Sequence, residues 1–151
     1  MKEIYTEIEI NAPASKVWSI LNDFEKFPTW NPFMKKISGN LQEGSDLEAF
    51  IQPPNSSGMT IKPKILEYHA GKELRWLGRL WIPKLFDGEH SWITEEINEN
   101  KTLFIQKERF SGLFVPFGST LLKNTKAGFE MMNRALKEEA EKNNQLDPNF
   151  P

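Results

Sequence analysis

Cysteine is absent from the 151-residue chain, which excludes disulfide bonds, thiolate catalysis and zinc–thiolate sites. Histidine is almost as scarce. The chain has two histidines, His69 and His90, with no third ligand at zinc spacing, so we expect no metal and no cofactor. The sequence also has no glycine-rich phosphate loop after a strand and no Gly-x-Ser-x-Gly nucleophile motif.

Strong net charge and long apolar runs are missing as well. The formal net charge of -2 at pH 7 disfavours binding to nucleic acid through general electrostatics. No apolar run approaches the ~20 residues of a membrane helix, and the first residues contain no apolar signal core. We therefore expect a cytoplasmic protein without stable membrane insertion, present as a monomer or a weak homodimer.

Aromatic residues, in contrast, are abundant. They make up 12% of the chain, with five Trp and eleven Phe, and such side chains suit a wide pocket wall as well as a core. The length fits one domain, which we assign to residues 1–143. Residues 144–151, with Pro148 and Pro151, are predicted to be a flexible tail.

Hydrophobic periodicity predicts strands followed by one long helix. Ile4, Thr6, Ile8 and Ile10 alternate with polar residues, and a short helix with Val17, Trp18 and Leu21 on one face follows. The further predicted strands, separated by turn residues, are Met34–Ser38, Asp46–Gln52, Met59–His69, Glu73–Leu80, Asp87–Ile97 and Thr102–Phe110. This order predicts an α+β fold with an antiparallel meander.

The last long helix, predicted over Leu121–Lys142, has one apolar face. Its stripe recurs at steps of three and four residues: Leu122, Thr125, Phe129, Met132, Leu136 and Ala140. A single helix cannot fill the whole concave side of a curved sheet. We therefore predict an internal cavity between this helix and the sheet.

Several segments resemble one known superfamily. They are Ile8–Pro13 with Val17 and Trp18, then Trp30–Phe33, Leu74–Trp76, Phe86–His90, Gln106–Leu113 and Phe129–Lys137. Over about residues 3 to 142 the chain resembles small bacterial members of the START-like or Bet v 1-like (SRPBCC) superfamily, in its polyketide cyclase/dehydrase group. The resemblance implies a helix-grip fold: a seven-stranded curved antiparallel sheet wrapped around the C-terminal helix, with two short helices after the first strand.

Alternation along the strands selects the candidate site residues. We take Phe104, Gln106, Glu108 and Phe110 to point inward, together with His90 and Trp92 on the preceding strand. On the predicted strand Glu73–Leu80, the residues taken to line the cavity are Leu74, Trp76, Gly78 and Leu80. The candidate ligand-binding residues are Trp30, Phe33, Ile61, Pro63, Trp76, His90, Trp92, Gln106, Glu108, Phe110, Phe129, Met132 and Asn133. His90 and Glu108 are the candidates for acid–base catalysis. Their alternative role is structural, since buried polar groups normally pair with one another.

Three functions follow as hypotheses. The first is binding or carriage of a small hydrophobic or aromatic molecule, such as a lipid, sterol or polyketide. The second is a polyketide cyclase/dehydrase-type enzyme that moves protons with His90 and Glu108. The third is a co-chaperone-like protein-interaction domain, which would need an exposed patch instead of an accessible cavity.

Overall fold

The structure, a computed structural model, describes residues 2–79, 87–112 and 118–142. The predicted tail, residues 144–151, lies outside the described residues, as does Leu80. The elements run in the order β1 (Lys2–Ile10), α1 (Ala14–Asn22), a 3-10 turn (Phe24–Lys26), α2 (Phe27–Trp30), β2 (Met34–Ser38), β3 (Glu48–Ile51), β4 (Met59–Ile61), β5 (Lys64–His69), β6 (Glu73–Arg79), β7 (Asp87–Asn98), β8 (Lys101–Ser111) and α3 (Ser119–Glu141).

The strands form two antiparallel sheets. The larger has the order β1-β8-β7-β6-β5, and the smaller has the order β2-β3-β4. Backbone hydrogen bonds join the sheets, since Leu47 N donates to Pro63 O (2.8 Å) and Ile65 N donates to Ser45 O (2.9 Å). The α+β helix-grip fold is confirmed, with its strands distributed over two linked sheets rather than one seven-stranded sheet.

One predicted strand divides into two. The expected Met59–His69 strand is interrupted between Ile61 and Lys64, where β4 ends in the small sheet and β5 begins in the large one. Pro63 lies in the gap, and a proline has no backbone N–H to donate to a ladder. The division allows the chain to turn from one sheet to the other, which places β4 beside the cavity described below.

Helix α3 buries the face that its periodicity predicted. All six residues of the stripe are buried, from Leu122 near its start to Ala140 near its end. The C-terminal end is also held by polar contacts. Glu141 Oε1 accepts a hydrogen bond from the backbone N–H of Asn11 (2.8 Å), and Lys137 Nζ donates to Glu9 O (3.0 Å). These contacts fix that end of the helix against the link between β1 and α1.

The segment after α2 is shaped by one asparagine. Asn31 Oδ1 accepts hydrogen bonds from the backbone N–H groups of Phe33 (3.0 Å) and Met34 (2.8 Å), which forms a tight side-chain-capped turn. The turn directs Phe33 inward, where its ring meets Phe129 of α3 edge to face at 5.5 Å. The aromatic cluster at this point therefore packs the short helices onto α3.

No helix in the described parts of the chain is long and apolar enough to cross a bilayer.

Candidate functional site

A small cavity lies between the two sheets and the first turns of α3. Its volume is about 70 Å³. The small sheet and its β3–β4 turn contribute Ile51, Pro53, Ser56, Met59 and Ile61; the large sheet contributes Gly78, Gly88, Glu108 and Phe110; and α3 contributes Leu121 and Thr125. Apolar groups therefore form most of the wall, and Glu108 is the one ionisable residue in this described lining.

Two glycines explain why the cavity exists. Gly78 of β6 and Gly88 of β7 are direct partners in the antiparallel register, so the sheet lacks two neighbouring side chains on its inner face. A Cβ atom at Gly78 would meet Gly88 O at 3.8 Å and the Ile61 Cδ1 atom at 4.0 Å, which are ordinary van der Waals distances. A methyl group would thus fit at Gly78 without displacing a neighbour. The space that it would take is open in this protein.

Gly88 has a different role, because the Glu108 side chain lies across it. A Cβ atom at Gly88 would overlap Glu108 Oε1 and approach its carboxyl carbon at 3.1 Å. The missing side chain therefore lets the carboxyl group fold back over strand β7. There Glu108 Oε2 lies 3.8 Å from His90 Nδ1, with the side chains of Glu108 and His90 only 14% and 4% exposed.

His90 is enclosed by aromatic rings behind the cavity. The Trp76 ring stacks on its imidazole at 4.9 Å between centroids, and Phe129 approaches edge to face at 4.8 Å. The packing fixes the plane of the imidazole. Its Nδ1 atom faces Glu108, and its Nε2 atom faces away from the cavity, toward Gln106.

Gln106 is the centre of a buried hydrogen-bond network. Its Oε1 atom is 3.0 Å from His90 Nε2 and accepts from Trp92 Nε1 at 3.1 Å. Its Nε2 atom donates to Asn133 Oδ1 at 2.9 Å. Asn133 Nδ2 in turn donates to Thr6 Oγ1 at 2.9 Å, and Thr6 donates to the backbone carbonyl of Gln106 at 2.8 Å. The network joins β1, β7, β8 and α3 with its polar groups satisfied.

The predicted site residues are divided between the cavity, the wall behind it and the surrounding packing. Ile61, Glu108 and Phe110 line the cavity. Trp76, His90, Trp92, Gln106, Phe129, Met132 and Asn133 form a filled wall behind it, in which each residue is at most 3% exposed. Phe33 packs on this wall from the other side, and Pro63 is buried at the junction between the sheets. The inward faces chosen from alternation agree with the structure for β6, β7 and β8.

Trp30 lies away from the cavity. It is half-buried and packs edge to face on Phe27 at 5.2 Å. It borders a shallow groove between α1 and the end of α3, together with Ile20 and Glu139. Trp30 therefore packs among the short helices, and the structure does not place this candidate ligand-binding residue at the cavity.

The candidate list left out several residues of the cavity lining and, from the buried hydrogen-bond network, Thr6. Alternation places Gly78 and Gly88 on the inner faces of their strands, and a glycine inside a strand often marks a close approach to a ligand or another side chain, but neither was a candidate. Thr6, the polar residue among isoleucines on β1, signals a buried polar partner. The residues from the small sheet and Leu121 carry no comparable signal, because their position depends on how the two sheets meet.

Comparisons with known proteins agree with this architecture. Among solved structures, the ZhuI aromatase/cyclase from Streptomyces sp. R1128 superimposes with a TM-score of 0.79 at 13% identity, covering 99% of each chain. A START superfamily protein from Mycobacterium smegmatis gives 0.73 at 20% identity, covering 93% of this chain and 97% of that one. Norcoclaurine synthase from Thalictrum flavum, in complex with dopamine and hydroxybenzaldehyde, gives 0.72 at 15% identity, covering 93% and 87%.

These identities establish the fold and leave the activity open. A search of curated proteins found no match to the sequence. The family described as "Polyketide cyclase / dehydrase and lipid transport" matches residues 1–142, which is nearly the whole chain. The protein therefore belongs to the polyketide cyclase/dehydrase and lipid transport family.

Proposed function

We propose that this protein binds a small molecule whose apolar ring or chain end enters the cavity and whose polar group meets Glu108. The observation that supports this most strongly is the paired absence of side chains at Gly78 and Gly88, beside a single carboxyl group. A protein that needed only a stable sheet would fill this space, because glycine inside a strand lowers stability by roughly 0.5–1 kcal/mol relative to alanine.

The size of the cavity limits the ligand. At about 70 Å³ it is smaller than the roughly 300–1,000 Å³ typical of sites that enclose a drug-sized molecule. An engineered cavity of about 150 Å³ takes benzene, so a single ring enters here if the flexible Met59 side chain moves aside. The size favours a one-ring compound, or one end of a longer molecule, over a whole sterol.

The expected affinity is modest. Burying about 150 Å² of apolar ligand surface contributes roughly 4 kcal/mol at 25 cal/mol per Å², before the costs of association. A hydrogen bond to the carboxyl group of Glu108 adds about 1.5–3 kcal/mol. The ligand therefore needs both its apolar body and its polar group in order to bind well.

Toluene binding, followed by calorimetry or NMR titration, tests the apolar part of this proposal. Gly78→Ala should weaken toluene binding by about tenfold or more, because its methyl group occupies the cavity without a clash. Thr60→Ala is the control, because Thr60 lies on β4 between the lining residues Met59 and Ile61 but is exposed to solvent. The proposal is wrong if wild-type protein binds neither toluene nor its hydroxyl analogue phenol, or if Gly78→Ala binds them as well as wild type does.

An acid–base enzyme is the second candidate, favoured by the proximity of His90 to Glu108 at the cavity wall. For such an enzyme, Glu108→Gln should lower kcat for a bound substrate far more than it weakens binding. Product formation can be followed by mass spectrometry with any compound that binds. Equal losses in binding and turnover would support a binding protein.

A further inference from the structure

We infer that a hydrogen-bond chain beginning at Trp92 fixes the proton of His90 on Nε2, and that the cavity thereby selects ligands that donate a hydrogen bond to Glu108. The inference rests on the proposed function, which it makes more specific by naming the ligand class. Trp92, Gln106, Asn133 and Thr6 become positioning residues, since none of them lines the cavity.

The indole N–H of Trp92 sets the direction of the hydrogen-bond chain. Trp92 Nε1 can only donate, so the Gln106 atom 3.1 Å away must be the amide oxygen. The amide nitrogen of Gln106 then points the other way, toward Asn133 Oδ1 at 2.9 Å and the backbone carbonyl of Phe129 at 3.5 Å. A reversed amide would place two N–H donors against each other at Trp92. That orientation is costly, because the Gln106 side chain is fully buried.

The remaining bonds reinforce this orientation. Because Asn133 accepts through Oδ1, its Nδ2 atom must donate, and it does so to Thr6 Oγ1 at 2.9 Å. The Thr6 hydroxyl then donates to the backbone carbonyl of Gln106 at 2.8 Å, so the hydrogen-bond chain closes on Gln106. Thr6 and Asn133 are 6% and 3% exposed, so water cannot easily replace either bond.

His90 is the residue whose protonation this network determines. Its Nε2 atom lies 3.0 Å from the Gln106 oxygen, an acceptor, so Nε2 must carry a hydrogen. The Nδ1 atom faces Glu108 Oε2 at 3.8 Å. At that separation the two groups attract each other when the imidazole is charged, but they share no hydrogen bond.

The consequence for a ligand is the same whether the imidazole of His90 is neutral or charged. An ionised Glu108 is an acceptor only, and its Oε1 atom lies over Gly88 at the cavity wall. A hydroxyl or ammonium group on the ligand can donate to it. A ligand carboxylate would place one acceptor against another in a poorly solvated site, so fatty acids and other apolar acids are disfavoured.

Nitrogen-15 NMR of the imidazole in the free protein tests the positioning step. Wild type should show His90 protonated at Nε2, and Trp92→Phe should introduce the Nδ1–H tautomer because the Gln106 amide can then turn. Trp76→Phe is the matched control, since Trp76 stacks on His90 without bonding Gln106. A wild-type spectrum in which His90 Nε2 is unprotonated would overturn the inference even if Trp92→Phe failed to fold.

Three probes of similar size test the ligand class: phenol, toluene and benzoate. Phenol should bind wild type about tenfold more tightly than toluene, which has the same shape without the donor, and benzoate should bind more weakly than toluene. Glu108→Gln should reduce both differences. Equal binding of all three overturns the inference and leaves intact the apolar part of the proposed function, the entry of a ring into the cavity. Binding of none overturns the proposed function and this ligand class together.

Discussion

The two ends of the interior differ in how the same strands are filled. At one end, Trp92, Gln106 and Phe129 pack without gaps and are at most 1% exposed. At the other end, Gly88 of β7 and Phe110 of β8 border open space. These two residues are partners in the register, and each lies two residues from His90 or Glu108 on its strand. Helix α3 shows the same contrast, since polar contacts hold its C-terminal end and its first turns line the cavity.

From this difference we expect stability and ligand binding to depend on different parts of the fold. The filled end stabilises through dense packing and satisfied hydrogen bonds. The open end retains a space that costs stability, and its carboxyl group is held by contacts with the filled end. We therefore expect mutations in the filled end to change mainly the free energy of unfolding, and mutations in the open end to change mainly ligand binding.

The largest effect on stability should come from Phe129→Ala. The Phe129 ring is fully buried and contacts both Phe33 and His90, so its removal should lower the free energy of unfolding by about 3–5 kcal/mol. Urea denaturation measures this change. Phe110→Ala, beside the existing cavity, should cost clearly less; an equal loss would mean that the two ends are packed alike.

Gln106→Leu should have the next largest effect. It leaves His90 Nε2, Trp92 Nε1 and Asn133 Oδ1 without their partners in the filled end, which should cost about 2–4 kcal/mol. Glu108→Gln, at the partly exposed cavity wall, should cost under about 1 kcal/mol. The same urea titrations compare the two variants. A Gln106→Leu protein as stable as wild type would show that the network contributes little.

Gly78→Ala should stabilise the protein while removing its binding space. The backbone of Gly78 has no positive φ, and the added methyl meets its neighbours at 3.8 and 4.0 Å. We expect a gain of about 0.5–1 kcal/mol in the free energy of unfolding, since alanine loses less backbone entropy than glycine on folding. Thermal denaturation checks the sign. A destabilised Gly78→Ala protein would show that the strands cannot accommodate the methyl group.

The smallest effect concerns pH and the fixed end of α3. Burial raises the pKa of Glu141, but the bonds from Lys137 and the Asn11 amide outweigh it and lower this pKa below its ordinary value of 4.5. The carboxylate therefore stabilises the fold above that value, and the contribution is lost as the pH falls through the lowered folded-state pKa. The stability difference between wild type and Glu141→Gln should shrink from pH 7 to about pH 3. A difference independent of pH would contradict this.

Much of the fold followed from local patterns in the sequence. Period-two alternation placed β6, β7 and β8 with their inward faces, and the three-and-four stripe of α3 gave its buried residues from Leu122 to Ala140. Alternation could not show that β4 and β5 separate at Pro63, because the separation depends on how two sheets meet. For the same reason Met59 and Ile51 were not recognised beside Glu108.

The candidate site could be predicted only in part from the sequence. His90, Gln106 and Glu108 were placed on the inner face of adjacent strands, and the structure brings them together. Their roles differ: Gln106 is enclosed in the filled wall, and Glu108 reaches the cavity because Gly88 has no side chain. Ligand binding at these residues, the cytoplasmic location and the oligomeric state remain predictions.

Methyl NMR with phenol is the most direct test of the central claim, that the open end alone accepts a ligand. Met59 lines the cavity, and Met132 lies fully buried in the filled wall. We predict intermolecular NOEs between phenol ring protons and the Met59 methyl group, and none to the Met132 methyl group. NOEs to Met132 and not to Met59, or NOEs to neither in a protein that binds phenol, would contradict the account.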